Sequence, residues 1–383
     1  MIFFKKHFKP IVAIAHGIFL FAMLWVMTNS SWSINIDEEI LSRVNSLRSC
    51  LFGNKIKYDH GFIFINVSKD LKLVPDPEEY GEIPITDRKK LAEFFKILAD
   101  NANQDYYVLC DIFLEYPSDD DTSLLQQLLR CKNLLFPFHL TNDSVELPCL
   151  PVNAALSDFT TYTGGGFSKF KLMYKDSIKT IPLVLLEKID KKRYPSTCFD
   201  FANVFPHYYI TQDHLTNTKK YPYFNLGELL MLSETPTFYD EFLKNKFIVI
   251  GNFESDIHQT PVGQMSGPLI LLNSYLTIRN ERHAGWLWAI FMIAGLSYTS
   301  YLLFFLKVKP PDVGKRPWLD FIMEIFVNKY FSFSGICLVL IILSTFIFSV
   351  QTNMSAVLVY LLTINFIKIF YEKHYKKEIK TQK

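Results

Sequence analysis

Apolar positions along this chain fall into two regimes. Near the start and over the last hundred residues they form unbroken runs. Between these they form short, patterned groups separated by polar turns. The unbroken runs cover 10–27 (PIVAIAHGIFLFAMLWVM), 284–306 (AGWLWAIFMIAGLSYTSYLLFFL), about 331–350 and about 355–371. A helix crosses the hydrocarbon core with roughly 20 apolar residues, so each run predicts a transmembrane helix, the first and last at the short end. Lys368 falls near the end of the fourth run, where its stem can reach the interface.

The middle of the chain alternates between two periods. Over 36–49, Ile36, Ile40, Leu41, Val44 and Leu47 recur at helical spacing and predict a stalk continuing from the first run. GFIFINVS at 61–68 predicts a buried strand. The segment 85–102 is an amphipathic helix, capped by Thr86 or Asp87, with Leu91, Phe94, Phe95 and Leu98 on one face. A buried strand follows at 106–114, then a helix at 119–131 with acids in its first turn, then a strand at 133–140. Residues 141–166 are irregular, and 167–174 alternate as a half-exposed strand before a turn at 175–176. Helices are predicted at 181–189, with Pro182 in the first turn, and at 224–232. A buried strand is predicted at 246–253 and a last helix at 267–278, about five residues before the second apolar run. Strands alternating with helices predict an α/β fold with a largely parallel sheet, right-handed crossovers and flanking helices. The expected architecture is one such domain with four transmembrane helices, one before it and three after.

Composition and charge turn this pattern into a topology. The 383 residues are 49% hydrophobic and 16% aromatic, with a mean hydropathy of +0.13, which is apolar for a whole soluble chain. Lys5, Lys6 and Lys9 precede the first run. Lys307, Lys309, Lys315, Arg316 and Lys329 follow the second, and Lys373, Lys376, Lys377, Lys380 and Lys383 follow the fourth. The loop between the third and fourth runs, QTNM, is uncharged. By the positive-inside rule, 1–9, 307–330 and 372–383 are expected to be cytoplasmic and the 28–283 domain extracytoplasmic. Outside 29–283 lie 14 of the 40 basic and 5 of the 38 acidic residues. The 26 basic and 33 acidic residues inside give about −7, which disfavours nucleic acid as a partner. A basic start and apolar centre also fit a cleaved signal peptide. TNSSWS is a poor cleavage site, which favours an uncleaved anchor.

Motifs bearing chemistry are sparse. Five of the six cysteines fall in the domain, an odd number. A Cys131–Cys149 bridge is open to an oxidising envelope, but spacing does not establish it. No CxxC, Cys/His metal spacing or HExxH occurs. Gly164–Gly165–Gly166 lacks the Gly-Lys-Ser/Thr of a phosphate loop, and GQMSG departs from Gly-x-Ser-x-Gly. Asn66-Val67-Ser68 is an acceptor triplet only in a glycosylating compartment. His16 and Asn365 lie inside apolar runs, where polar side chains face another helix. The short amphipathic piece 318–326 suits the cytoplasmic interface.

Asp256 and His258 are the residues most suggestive of chemistry. A metal or acid–base site there needs further ligands that the spacing does not supply. The alternative is a loop held by the Asp256 side chain, with Thr260-Pro261 extending the chain before the last helix. Asp111 ends a predicted buried strand. Ligand crevices lie at carboxyl ends of parallel strands, so Asp111 and Asp256 are expected to share a ligand-binding rim, with Arg88, His258 and Thr260 as its further candidates. A structural pairing of Asp111 with Arg88 is the competing reading. No cofactor and no catalytic residue is expected.

Three blocks together resemble the CHASE type 2 domain, an extracytoplasmic sensory module of bacterial receptors. In IPITDRKKLAEFF and YYVLCDIFLEYPSDDDTSLLQQLL, Arg88, Asp111, Pro117, Asp121 and Leu124 fall on family positions. In YKDSIKTIPL, Lys179 stands where arginine is usual. FLKNKFIVIGNFESDIHQTPVGQMSGPLILLNSYL is similar to the family's strand, Asp-x-His-x-Thr-Pro and final helix. The likeness spans roughly 36–280. It implies a sensory role for the domain and importance for Asp256, His258 and Thr260. The family's Glu and His in the last helix fall on Leu269 and Leu271, while Gly267 and Asn273 are kept. About 12 residues follow Tyr371, too few for the family's usual kinase or cyclase. The expectation is therefore a non-enzymatic sensor, read by a protein partner in the membrane or cytoplasm. The alternatives are an assembly subunit of an envelope complex and an extracytoplasmic metal-assisted enzyme.

Overall fold

The computed structural model describes residues 2–30, 43–44, 47, 51, 61–76, 81–101, 105–141, 144–158, 167, 169–174, 177–194, 201–235, 237–280, 285–305, 332–348 and 350–381. The chain forms two compact units. One comprises 1–53, 194–203 and 281–383, the other 54–193 and 204–280.

The first unit is helical: α1 (Ile2–Asn29), α8 (Trp286–Phe305), α9 (Ser332–Leu343) running into a π-helical turn (Ser344–Phe348), and α10 (Ser355–Thr381). Two stretches are long and apolar enough to cross a membrane, Phe8–Asn29 and Trp286–Phe305. The third and fourth apolar runs give the shorter helical stretches Gly335–Phe348 and Ser355–Lys368. The break between them comes at Val350–Met354, which are non-helical. Four helices of full crossing length were expected, and two are present among the described residues.

Polar side chains bind these helices together. His16 Nδ1 lies 2.8 Å from Ser300 Oγ and its Nε2 lies 3.2 Å from Tyr360 OH, so one imidazole joins α1, α8 and α10. Trp288 Nε1 donates to Ser344 Oγ at 2.9 Å, and Asn353 N donates to Thr28 Oγ1 at 3.1 Å. Lys368 Nζ donates to the Leu303 carbonyl. In an apolar surrounding these groups satisfy one another rather than face hydrocarbon, which fits helix packing as the role of His16.

The second unit is α/β, with a mostly parallel sheet flanked by helices. Its strands are β1 (Gly61–Asn66), β2 (Leu71–Pro75), β3 (Glu82–Thr86), β4 (Tyr107–Asp111), β5 (Leu134–Thr141), β6 (Ser144–Glu146), β7 (Ala154–Leu156), β8 (Tyr223–Asn225), β9 (Lys246–Gly251), β10 (Ile257–Thr260) and β11 (Gly263–Ser266). Its helices are α2 (Arg88–Ala99), α3 (Asp121–Arg130), α4 (Ile181–Ile189), α5 (Gln212–Thr216), α6 (Leu226–Leu232) and α7 (Gly267–Asn280). The sheet runs β8-β1-β9-β4-β5, all parallel. At β5, β7 adds in parallel and β6 antiparallel.

Each helix follows from local chemistry. Asp87, in extended conformation, accepts from Lys89 N and Lys90 N and starts α2. The expected helix therefore begins at Arg88. Residues 82–86 instead pair with β2 in an antiparallel hairpin, placing Pro84 opposite Leu73. In α2, Leu91, Phe94, Phe95 and Leu98 are buried. They meet Leu124 and Leu128 of α3, and Leu226 and Leu229 of α6, over Ile63, Ile65, Val108, Cys110, Ile248 and Ile250. The opposite face receives α7, where Phe247 stacks on Tyr275 at 5.8 Å between centroids. α4 packs against α7 there.

Most of the 36–49 stalk, Gly164–Gly165–Gly166 and the 175–176 turn lie outside the described residues. So does 318–326. The expected strand over 167–174 survives only as two-residue pieces, Phe170–Lys171 and Met173–Tyr174. Cys131 and Cys149 are free thiols that donate to different carbonyls, of Phe95 and Tyr116, and form no bridge.

Candidate functional site

The site is built where two central strands stop. Gly251 ends β9 and pairs in register with Asp111, the last residue of β4. Side chains alternate along a strand, so Cys110 points into the core under α2 and α3, and Asp111 points to the α7 face. Gly251 has to be glycine. A Cβ there would run into Pro268 Cγ and come 3.2 Å from the Asp111 carbonyl.

Beyond Gly251 the chain turns sharply. Asn252 Oδ1 accepts from Glu254 N at 3.1 Å and Ser255 N at 2.9 Å, a side-chain-stabilised turn. Phe253 N donates to Asn66 Oδ1 at 3.2 Å, which ties the turn to the end of β1. This delivers Asp256. The β10–β11 hairpin, absent from the sequence expectation, then returns the chain to Gly267, whose N donates to the Asp256 carbonyl at 3.0 Å.

Three of the expected residues come together. His258 Nε2 lies 2.9 Å from Asp256 Oδ1. A Cβ on Gly267 would fall on the Asp256 carboxylate and lie 3.3 Å from Asp111 Oδ2, so both carboxylates crowd the first residue of α7. Asp111 keeps a little exposed surface but is densely surrounded by protein. Burial pushes its pKa up to about 7, the Asp256 charge adds to the rise, and His139 and His258 oppose it.

His139 and Asp158 extend the rim, and sequence reading overlooked them. His139 Nδ1 lies 2.5 Å from Asp158 Oδ1, and Asp158 Oδ2 accepts from Leu140 N at 2.5 Å. The hydrogen bond to Asp158 raises the His139 pKa, burial opposes it, and charges on Asp158, Asp111 and Glu146 add to the rise. Phe113 packs edge-on to the imidazole at 4.6 Å. The available signal was the strand-end rule that singled out Asp111, since His139 lies near the end of the next parallel strand.

Two expected rim residues belong elsewhere. Arg88 opens α2 on the opposite face of the sheet. Its Nε lies 3.5 Å from Asp121 Oδ1 and the side chain is 1% exposed. Arg88 therefore pairs with Asp121 and not with Asp111, because strand alternation puts Asp111 on the far side. Burial lowers the Arg88 pKa and Asp121 opposes the shift. Thr260 closes the hairpin turn, donating to Gly263 O at 2.6 Å and accepting from Val262 N at 3.3 Å.

Along α7, Leu269 and Leu271 are fully buried core residues. Asn273 is equally buried, and both ends of its amide bond to the Ile210 backbone. Asn66 is also buried. Its Nδ2, with two N–H groups, lies 2.7 Å from Ser68 Oγ, 3.1 Å from Asn225 Oδ1 and 3.1 Å from Glu254 Oε1, a second polar knot on the rim. A buried, fully engaged Asn66 cannot serve as a glycan acceptor.

Among the described residues, no group of three or more His, Cys, Asp and Glu is arranged to hold a metal ion. Two carboxylates and an imidazole, crowded on a helix start, can exchange protons. Compared with family models, curated proteins and solved structures, the chain finds no match.

Proposed function

We propose that the chain is a membrane-anchored regulatory protein without catalytic chemistry of its own, built on a CHASE2-like sensory domain. In this reading four helices cross a bacterial inner membrane, at 10–27, 284–306, 331–350 and 355–371. The 28–283 domain is extracytoplasmic and both termini are cytoplasmic. A small ligand or a protein partner biases the domain between two states, and a membrane or cytoplasmic partner reads the result. Such a signal requires unequal affinity for the two states.

One observation supports this above the others. Gly267, the first residue of α7, is crowded by Asp256 and Asp111. In sequence, α7 is the last element before the apolar helix Trp286–Phe305. A change at the rim thus acts on the start of the helix that leads to the membrane. The test is hydrogen exchange of the full-length protein in lipid nanodiscs, comparing wild type with Gly267→Ala. The regulatory reading expects altered exchange in both 267–280 and 286–305. A change confined to 252–270 counts against transmission.

The second reading, a non-enzymatic assembly subunit of an envelope complex, is favoured by Leu269 and Leu271. At the two positions where the resembled family carries polar residues, this chain has buried core leucines. Affinity purification from solubilised membranes separates the two readings. Stoichiometric partners, with no exchange response to Gly267→Ala, would favour assembly.

A further inference from the structure

We propose that Asp111, crowded by the Asp256 carboxylate at the start of α7, is a proton-operated latch, in which gain and loss of a proton on Asp111 sets how firmly the first turn of α7 sits on the sheet. The inference concerns the α/β domain itself and stands whether or not the chain is a sensor. If it is, the proton is a stimulus.

The geometry leaves the pair little freedom. Asp111 is fixed by the β4–β9 ladder, and its carbonyl is packed against Gly251. Asp256 is fixed at its own backbone by the bond from Gly267 N. Both carboxylates border the space a Cβ of Gly267 would fill, so only glycine fits there without displacing Asp256. If both ionise, the repulsion is relieved only by moving the 252–266 segment or the first turn of α7.

The charged groups facing the pair come from β10, β5, β6 and the segment after β7. His258 of β10 is engaged by Asp256 at 2.9 Å. His139 of β5 is engaged by Asp158 at 2.5 Å, with Glu146 of β6 beyond it. Cys110 is the titratable neighbour of Asp111 on β4 itself. The first turn of α7, Gly267-Pro268-Leu269-Ile270, brings no charged side chain. His258 is thus engaged by Asp256 and His139 by Asp158, and at Asp111 both imidazoles act by charge, opposing the rise that burial and Asp256 impose. The proton therefore resides on Asp111, whose pKa of about 7 places the exchange with solvent near neutrality.

The test uses the full-length protein in phosphatidylcholine vesicles. Infrared difference spectra taken across the pH range should show a protonated carboxyl band disappearing with a midpoint near 7. Asp111→Asn should abolish the band. Asp256→Asn should lower the midpoint by about one unit, because a like charge is removed. In parallel, exchange at 267–270, corrected for intrinsic rates, should speed up about tenfold between about pH 6 and about pH 8 in wild type, and stay level in Asp111→Asn. The proposal fails if no carboxyl titrates in that interval, if the band survives Asp111→Asn, or if exchange at 267–270 ignores pH in wild type. Should Asp111→Asn not fold, an unmoved midpoint in Asp256→Asn overturns it equally. Because the readouts are the Asp111 carboxyl band and exchange at 267–270, a failed latch is distinguishable from failed transmission to 286–305.

Discussion

Asn273 holds the Ile210 backbone at both ends. Its Oδ1 accepts from Ile210 N at 3.0 Å, and its Nδ2 donates to Ile210 O at 2.7 Å. One buried amide thus does for an irregular segment what a neighbouring strand does inside a sheet. Thr277, one turn later, accepts from His207 N at 2.7 Å and extends the same seam. Replacing Asn273 with Ala strands a buried N–H and a buried C=O. The expected loss is about 2–6 kcal/mol of domain stability, from one to three per unpaired group. Asn273→Asp keeps the acceptor and loses the donor, so it should fall between wild type and Ala. Thermal unfolding of the three full-length proteins gives the order.

Much of this fold was legible from period alone. The buried runs at 61–68, 106–114, 133–140 and 246–253 all became parallel strands, because continuous apolar runs bounded by polar turns have few other uses. The helices at 181–189 and 267–278 were equally plain. What escaped was short or conditional. β8 lies in Tyr223–Asn225, of which Phe224 and Asn225 read as the start of the 224–232 helix until β1 offers them an edge. The β10–β11 hairpin carries His258 and Gln259 opposite Met265 and Gln264, a polar pairing with no hydrophobic signature. At the site, a strand-end argument found Asp111 and placed it near Asp256. Arg88 was misassigned because sequence proximity to a strand does not say which face of the sheet a helix covers. Cys110 and Asp111 differ by one residue and so face opposite layers.

Asp190, at the end of α4, fastens α4 to α7. Tyr275 OH donates to Asp190 Oδ2 at 2.9 Å, and Arg279 Nε donates to Asp190 Oδ1 at 2.7 Å, with Asp190 and Arg279 both largely buried. Tyr275→Phe should cost about 1.5 kcal/mol, one neutral-to-charged hydrogen bond in net terms. Asp190→Ala should cost more, about 3 kcal/mol, since it takes the acceptor from a buried cation. A double-mutant cycle on the Tyr275–Asp190 pair should return a coupling of about 1 kcal/mol. Additive losses would show that the hydroxyl contact is energetically idle.

Gly251 and Gly81 make a matched comparison. A Cβ at Gly251 meets Pro268 Cγ and the Asp111 carbonyl, whereas among the described residues nothing lies within 4 Å of one at Gly81. Gly251→Ala should destabilise by about 1–3 kcal/mol through overpacking between a strand end and the start of α7. Gly81→Ala should be near neutral. If denaturation midpoints of the two variants coincide, the close approach of Pro268 to the strand end is not tight.

Stability should fall as pH rises through neutrality, and two residues supply the slope. The Asp111 pKa is about 7 in the folded chain against about 3.9 unfolded. Between those values the folded state binds more protons, so the Asp111 contribution is most favourable below about pH 4 and declines until about pH 7. His139 has a raised folded pKa through its bond to Asp158. That contribution is complete below about pH 6.5 and is lost as pH passes the folded value. Both slopes have the same sign, opposite to acid unfolding driven by ion-paired carboxylates. Melting temperatures of the full-length protein, taken from about pH 5 to about pH 8.5, should therefore decline toward the alkaline end. Asp111→Asn should flatten the part below about pH 7 and gain stability at about pH 8, where wild type holds a crowded carboxylate. Asp158→Asn should be less stable than wild type at about pH 6 and flatten the remaining slope. A wild-type melting temperature that rises steadily over this interval would mean that Asp111 is ionised throughout it.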